Sequence, residues 1–278
     1  MAAVTTGILH PGAMGQTIGA TCSGRVVWAG AGRSAATAER AAAAGLDDVG
    51  TIADVATAAD VIVSVCPPGA AIDQARAVAA TGFDGIYVDA NAVSPDTART
   101  IAALFPRFVD GGIVGPPAHR SGTTRMYLSG ELAEEVAERW AGSDLETRIV
   151  DGGAGAASAV KMCFAGWTKG TAALLVAIRA VAEAEGVTDD LVGEWATSMP
   201  DLIGRSDGTP RGVGPKAWRF APEMEEIAAT FAGAGLPDGF HLAAADVYRR
   251  LAEFKDADPA PDLAAVVRAL LDQPGDNS

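Results

Sequence analysis

The chain has 278 residues, 49% of them hydrophobic and 20% charged, and a formal net charge of −14. This composition excludes a disordered chain and provides enough apolar material for one large domain or two modest ones. The negative balance, with 21 scattered basic residues, excludes the clustered cationic surface that nucleic acid or an anionic membrane demands.

In chain order, residues 4–9 predict a first strand and 12–23 a helix opened by glycines. Residues 25–29 (RVVWA) predict a strand and 35–44 an Ala-rich helix. The continuous apolar run 61–66 (VIVSVC) is a strand ended by Pro67 and Pro68, and 70–80 is a helix. Residues 85–89 (GIYVD) are a strand, after which Ser94 caps a helix whose first residue is Pro95. Residues 108–113, 125–129 and 147–151 are further strands. Unbroken apolar strands alternating with helices predict a mainly parallel, doubly wound α/β sheet.

After Gly155 the pattern becomes helical throughout. Residues 156–185 predict one long helix, followed by helices at 188–198, 215–232, 239–254 and 261–271. Thr209-Pro210-Arg211-Gly212 reads as a loop, and the tail after Gln273 reads as frayed. The fold class is therefore a Rossmann α/β domain followed by an all-α domain led by a long helix. The boundary falls near Asp151-Gly152-Gly153, giving domains 1–153 and 154–278.

Cys22, Cys66 and Cys163 form no CxxC pair, and His10, His119 and His241 lie far apart, so neither a disulfide framework nor a metal site is expected. No apolar run reaches ~18 residues without a charge, and no basic segment followed by an apolar stretch opens the chain. The expectation is a reduced cytoplasmic protein with a small-molecule ligand.

The chemistry begins where the first strand runs into Gly7-Ile8-Leu9-His10-Pro11-Gly12-Ala13-Met14-Gly15. Gly12 and Gly15 match the second and third glycines of a GxGxxG dinucleotide turn, with His10 at the first-glycine position. His10, Pro11, Gly12, Ala13, Met14 and Gly15 are thus expected to hold a dinucleotide. Arg33 follows about 20 residues later, where an acidic residue would bind the ribose of NAD or an arginine the 2′-phosphate of NADP. Arg33 and Ser34 favour NADP(H), with NAD the alternative. In an open α/β sheet the ligand lies beyond the carboxyl ends of the strands. This adds Cys66, Pro67, Pro68 and Asn91 to the expected cofactor site.

Together these segments resemble the β-hydroxyacid dehydrogenases, which include 3-hydroxyisobutyrate and 6-phosphogluconate dehydrogenases, with the imine reductases as close relatives. The resemblance is carried by GILHPGAMG, the GRS end of the second strand, VCPP, DANAVSP, VDGGIVGPP (109–117), TRMYLSG (124–130) and GAGAASAVKMCFAGWTKG (153–170). It covers most of the chain. It implies a homodimer and a catalytic lysine at Lys161, one to two turns into the long helix. That ammonium, on an otherwise apolar helix start, is suited to protonating a carbonyl oxygen as hydride arrives, and its free base to the reverse step.

Two departures from the family stand out. Its usual Asn one turn after the lysine is Ala165, and Thr168, two turns on, is the polar residue left on that face. The substrate-loop Ser is Val114. Gly115, Pro116, Thr168 and Lys169 are the expected substrate residues, and Lys161 and Thr168 the catalytic pair. The activity implied is hydride transfer between NADP(H) and a small alcohol or carbonyl, with imine reduction as the alternative. A non-enzymatic NADP-binding redox sensor is the third reading, since fold does not fix function.

Overall fold

A computed structural model describes residues 4–272; the tail after Gln273 lies outside them. The chain begins with β1 (Thr5–Leu9), α1 (Gly15–Ala20), β2 (Arg25–Trp28), α2 (Ala35–Ala43), β3 (Asp47–Asp48), α3 (Ile52–Ala58) and β4 (Val61–Ser64). It continues with α4 (Ala71–Ala79), β5 (Ile86–Asp89), α5 (Pro95–Ala102), β6 (Phe108–Val114), β7 (Thr124–Ser129), α6 (Ala133–Ala137) and β8 (Leu145–Ile149). The eight strands form one sheet in the order β3-β2-β1-β4-β5-β6-β7-β8. Every neighbouring pair is parallel except β6 with β7. The strand order reverses at β1, so the topological switch point lies between β1 and β4.

Alternation along the strands builds a core on each face. Ile8, Val26, Trp28, Val61 and Val63 belong to one cluster, with Ile18 of α1 and Trp140. Their neighbours Leu9, Val27 and Ile62 belong to the other, with Val55 of α3, Tyr87 and Phe105. Both faces are apolar, which is why these strands read as unbroken hydrophobic runs. The indole N–H of Trp140 donates to the Ile18 carbonyl at 2.9 Å, so this buried ring leaves no orphan donor. α3 and α6 are additional to the helices predicted from sequence.

The long helix α7 (Ala156–Ala184) is followed by α8 (Thr188–Ser198), α9 (Asp201–Val213), α10 (Ala217–Gly233), α11 (Gly239–Arg250) and α12 (Leu263–Leu271). No strand follows Gly155 among the described residues. The chain forms two compact units, Met1–Phe164 and Ala165–Ser278. The division between these units falls inside α7, whose first turns pack on β6 at Gly112. Residues 209–212 are not a loop but the last turn of α9, with Pro210 inside the helix. Pro210 and Ser206 are buried, and Ser206 Oγ accepts from Arg179 Nη1 at 2.8 Å. Tertiary packing here outweighs the roughly 3 kcal/mol cost of an interior proline.

Candidate functional site

The turn after β1 follows from three main-chain requirements. His10 is left-handed, with φ 62°, and its carbonyl accepts from Gly12 N at 2.7 Å. A Cβ on Gly15 would lie 2.4 Å from that same carbonyl, so the close packing of α1 under the turn needs glycine there. A Cβ on Gly12 would meet nothing within 4 Å. The space in front of Gly12 is thus not used by the fold, as a closely approaching dinucleotide requires. Pro11 is buried and Ala13 exposed, while Met14 packs against the core. The His10 imidazole is held neutral, its pKa pushed down to about 4 by burial and then by the charge of Arg33.

At the end of β2, Ser34 Oγ caps α2 by accepting from Thr37 N at 3.3 Å. Ser34 Oγ and Thr37 Oγ1 lie 3.0 Å apart, and Arg40 Nη2 donates to Thr37 Oγ1 at 3.0 Å. Arg33, the residue before Ser34, is half-buried. An acidic group does reach the turn, from β3. Asp48 Oδ1 accepts from Gly30 N and from Gly50 N, each at 2.9 Å. The parallel pairing of Trp28 with Asp48 is what delivers it, so it lies outside the sequence of the β2 turn.

The loops after β4 and β5 are tied together by Asn91. Its Oδ1 accepts from Cys66 N at 2.6 Å, and its Nδ2 donates to Ser64 Oγ at 3.1 Å and to Asp89. The residue is 2% exposed and both amide hydrogens are engaged. It therefore braces the Cys66-Pro67-Pro68 loop against the ends of β4 and β5. Burial pushes the Cys66 thiol up to about 11, so it stays protonated at neutral pH.

β6 carries the remaining machinery. Asp89, the last residue of β5, pairs with Asp110, so Gly111 and Gly112 run past the carboxyl edge of β5. A Cβ on Gly112 would sit 2.7 Å from the Ala157 carbonyl and 2.9 Å from Lys161 Cβ. The bare glycine is what lets α7 press against the strand. It sets Lys161 Cβ beside Gly112, two residues past the Asp89–Asp110 pair that ends β5. Asp110 is fully buried beneath this joint. Its Oδ2 accepts from Gly155 N at 3.0 Å, Ser158 N at 2.9 Å and Ser129 Oγ at 3.2 Å. Its Oδ1 accepts from Ser158 Oγ at 2.6 Å. A carboxylate at the start of a 29-residue helix satisfies orphan N–H groups and complements the helix dipole. Sequence reasoning missed Asp110 and Gly112; the adjacent pair Gly111-Gly112 inside a strand was the available signal.

Beyond β6, Gly115 has φ 119°, and a Cβ there would lie 2.3 Å from the Thr123 carbonyl. The Pro116 carbonyl accepts from Thr124 Oγ1 at 2.6 Å, and Ala118 N donates to Thr17 Oγ1 of α1 at 3.0 Å. Val114 is 3% exposed, so the position carries packing in place of polar recognition.

Two expected residues belong to the second unit. Thr168 is exposed, with its Oγ1 3.5 Å from the Ala165 carbonyl of the same helix. Lys169 Nζ is 2.8 Å from Glu223 Oε1, the side chains being 15% and 11% exposed, and lies 4.9 Å from the Phe220 ring centroid. Tyr248 donates its hydroxyl proton to the Lys169 carbonyl at 2.7 Å. The Lys169 ammonium is thus bound within the helical unit.

Comparison with known proteins agrees with this architecture. One conserved protein of unknown function has a structure described as similar to 3-hydroxyacid dehydrogenases. It is 28% identical over 90% of this chain and 98% of its own, with a TM-score of 0.66. The fold is that of the 3-hydroxyacid dehydrogenases. The Mycobacterium tuberculosis 3-hydroxyisobutyrate dehydrogenase, solved with L-serine, shares this dehydrogenase fold at 19% identity, over 96% and 99% of the two chains, with a TM-score of 0.67. A family described as a domain of unknown function, DUF1932, matches residues 182–251 within the helical unit. An uncharacterized 28.5 kDa protein of Methanothermus fervidus is 31% identical over 165 residues, 58% of this chain. That match spans 63% of the relative's length. No helix among the described residues is long and apolar enough to cross a membrane, and none of their side chains form a metal-binding group.

Proposed function

We propose that this chain is an NADP(H)-dependent oxidoreductase acting on a small alcohol or carbonyl, with Lys161 as the general acid and base. The observation that carries the reading lies within the first unit. The strand order reverses beside an open Gly12, and α7 is seated on Gly112 just past the end of β5. Dinucleotides bind at such switch points, beyond the strand ends. When bound, the cofactor supplies or accepts hydride. The chain's part is to hold the dinucleotide on the turn from His10 to Gly15, to shape the crevice with the Asn91-braced loop and Gly115-Pro116, and to move one proton at Lys161 Nζ. Proton transfer of this kind contributes about 10²–10⁴-fold to rate.

Preference for NADP(H) is supported by Arg33 beside the Ser34, Thr37 and Arg40 cluster, whose hydroxyls and guanidinium suit a 2′-phosphate. Asp48 favours the competing NAD reading only weakly, because its Oδ1 is already held by two main-chain N–H groups. Association of two copies through α7 is supported by Trp167, Leu174, Ile178 and Val181, which are 36% to 68% exposed on one helix. Leu174, Ile178 and Val181 continue into an apolar groove with Val187 and Leu191. Contiguous apolar surface of this kind is a mark of an interaction site. Val181→Glu is expected to convert a dimer to monomer in sedimentation.

The deciding experiment compares wild type with Lys161→Ala, using NADPH binding and a panel of ketones, hydroxyacids and cyclic imines. Unchanged NADPH affinity with turnover reduced about 10²–10⁴-fold supports the reading. Unchanged turnover in the variant removes Lys161 from the mechanism. Binding of NADPH with no turnover of any panel member favours the sensor.

A further inference from the structure

His10 occupies the position where the dinucleotide turn ordinarily has glycine, and it does so at a conformational cost. Among the described residues only His10 and Asp256 are left-handed without being glycine. Glycine would adopt that backbone freely. A strained backbone that persists at a ligand loop is grounds for a functional hypothesis about the side chain.

The ring's surroundings indicate its use. Nδ1 is buried with no hydrogen-bond partner. A buried N–H without an acceptor is rarer and worse tolerated than a buried acceptor without a donor. The proton of the neutral ring therefore belongs on Nε2. Burial and the nearby Arg33 charge oppose a second proton. The ring stands at the carboxyl end of β1, close enough to Arg33 at the end of β2 to feel its charge. In a dinucleotide-binding sheet, that corner faces the adenosine half of the ligand.

We propose that His10 contacts the cofactor, donating Nε2–H as an uncharged hydrogen bond to a phosphate oxygen of the dinucleotide's adenosine half. This rests on the dinucleotide-binding reading above. In that role the side chain offsets the strain of its backbone, and glycine at this position would make a more relaxed but weaker-binding turn.

The test uses the full chain, with NADPH and NADH as probes in calorimetry at pH 7. His10→Gly is expected to melt at or above the wild-type temperature yet bind NADPH about tenfold more weakly, the loss of one hydrogen bond to a charged group. His10→Asn tolerates the left-handed backbone and keeps an uncharged donor, so it should retain most of the affinity. Equal fractional losses for NADPH and NADH assign the contact to the pyrophosphate, and loss confined to NADPH assigns it to the 2′-phosphate. In ¹⁵N-histidine spectra of the wild type, which need no variant, NADPH should shift His10 Nε2 of an Nε2–H tautomer. A folded His10→Gly protein that binds NADPH as tightly as wild type, or an unshifted His10 ring at saturation, overturns the proposal alone. A wild type that takes up neither dinucleotide overturns the dinucleotide-binding reading as well.

Discussion

Replacing Asp110 with alanine strikes the joint between β6 and the start of α7. The carboxylate is fully buried and accepts four hydrogen bonds, two of them from the main-chain N–H groups of Gly155 and Ser158. Alanine leaves those two donors without an acceptor, at about 1–3 kcal/mol each. It also removes a negative charge from a helix N-terminus, worth up to about 2 kcal/mol in a buried setting. Relief from burying a carboxylate offsets part of this, so the expected net loss is about 3–5 kcal/mol. Against a typical stability of about 5–15 kcal/mol this is a large fraction. Asp110→Asn keeps one acceptor oxygen and should lose roughly half as much. Urea unfolding with an unchanged m-value measures both. Lys161 follows Ser158 by one helical turn, so NADPH-dependent turnover should fall further than the folded fraction accounts for. If both variants stay within about 1 kcal/mol of wild type, the idea that Asp110 anchors α7 is wrong.

The two glycines of the cofactor turn should respond differently to alanine. Gly12→Ala should melt within about 1 kcal/mol of wild type while weakening NADPH binding at least tenfold. Gly15→Ala should lose about 1–3 kcal/mol by forcing its Cβ against the His10 carbonyl. Wild-type NADPH affinity in Gly12→Ala would mean that the open space there is not the ligand's. Lys169→Met should cost up to about 3–5 kcal/mol in urea by removing the ammonium that faces the buried Glu223 carboxylate at 2.8 Å, and Lys169→Met with Glu223→Leu should recover most of that; a single variant as stable as wild type refutes this account. His10 titrates near 4 when folded against an ordinary 6.5. Between those values the unfolded chain binds the proton and the folded chain does not. Stability supplied by the neutral ring is therefore complete above pH 6.5 and drains away as pH falls toward 4. Melting temperatures from pH 7.5 to 4 should show His10→Gly falling less steeply than wild type; parallel curves would contradict the depressed value.

Much of the first unit was legible because its signals were strong and local. Unbroken apolar runs marked β1, β4 and β5, and Ser94-Pro95 marked the start of α5, where Ser94 Oγ does accept from Thr97 N. α3 escaped because Val55 is its only fully buried residue, so there is almost no periodicity to read. Its capping box, Thr51 with Asp54, was the readable cue. α9 was obscured by Thr-Pro-Arg-Gly, a turn-like string that burial of Pro210 overrides. At the candidate site, composition identified the residues near the crevice but not how each is used. Asn91 is polar and well placed, yet its hydrogen bonds are taken up within the protein. Lys169 lies near the expected position in sequence, yet a partner 54 residues away captures it. Such partners depend on tertiary pairing, which no local window contains.

The ends of the sheet limit how copies of the chain can associate. One outer strand, β3, is two residues long and both are aspartates. At the other, β8 carries Glu146 and Arg148, paired at 2.8 Å. One border is very short and both carry charged side chains, which makes them poor templates for a ninth strand. Cross-β stacking into fibres through these borders is disfavoured.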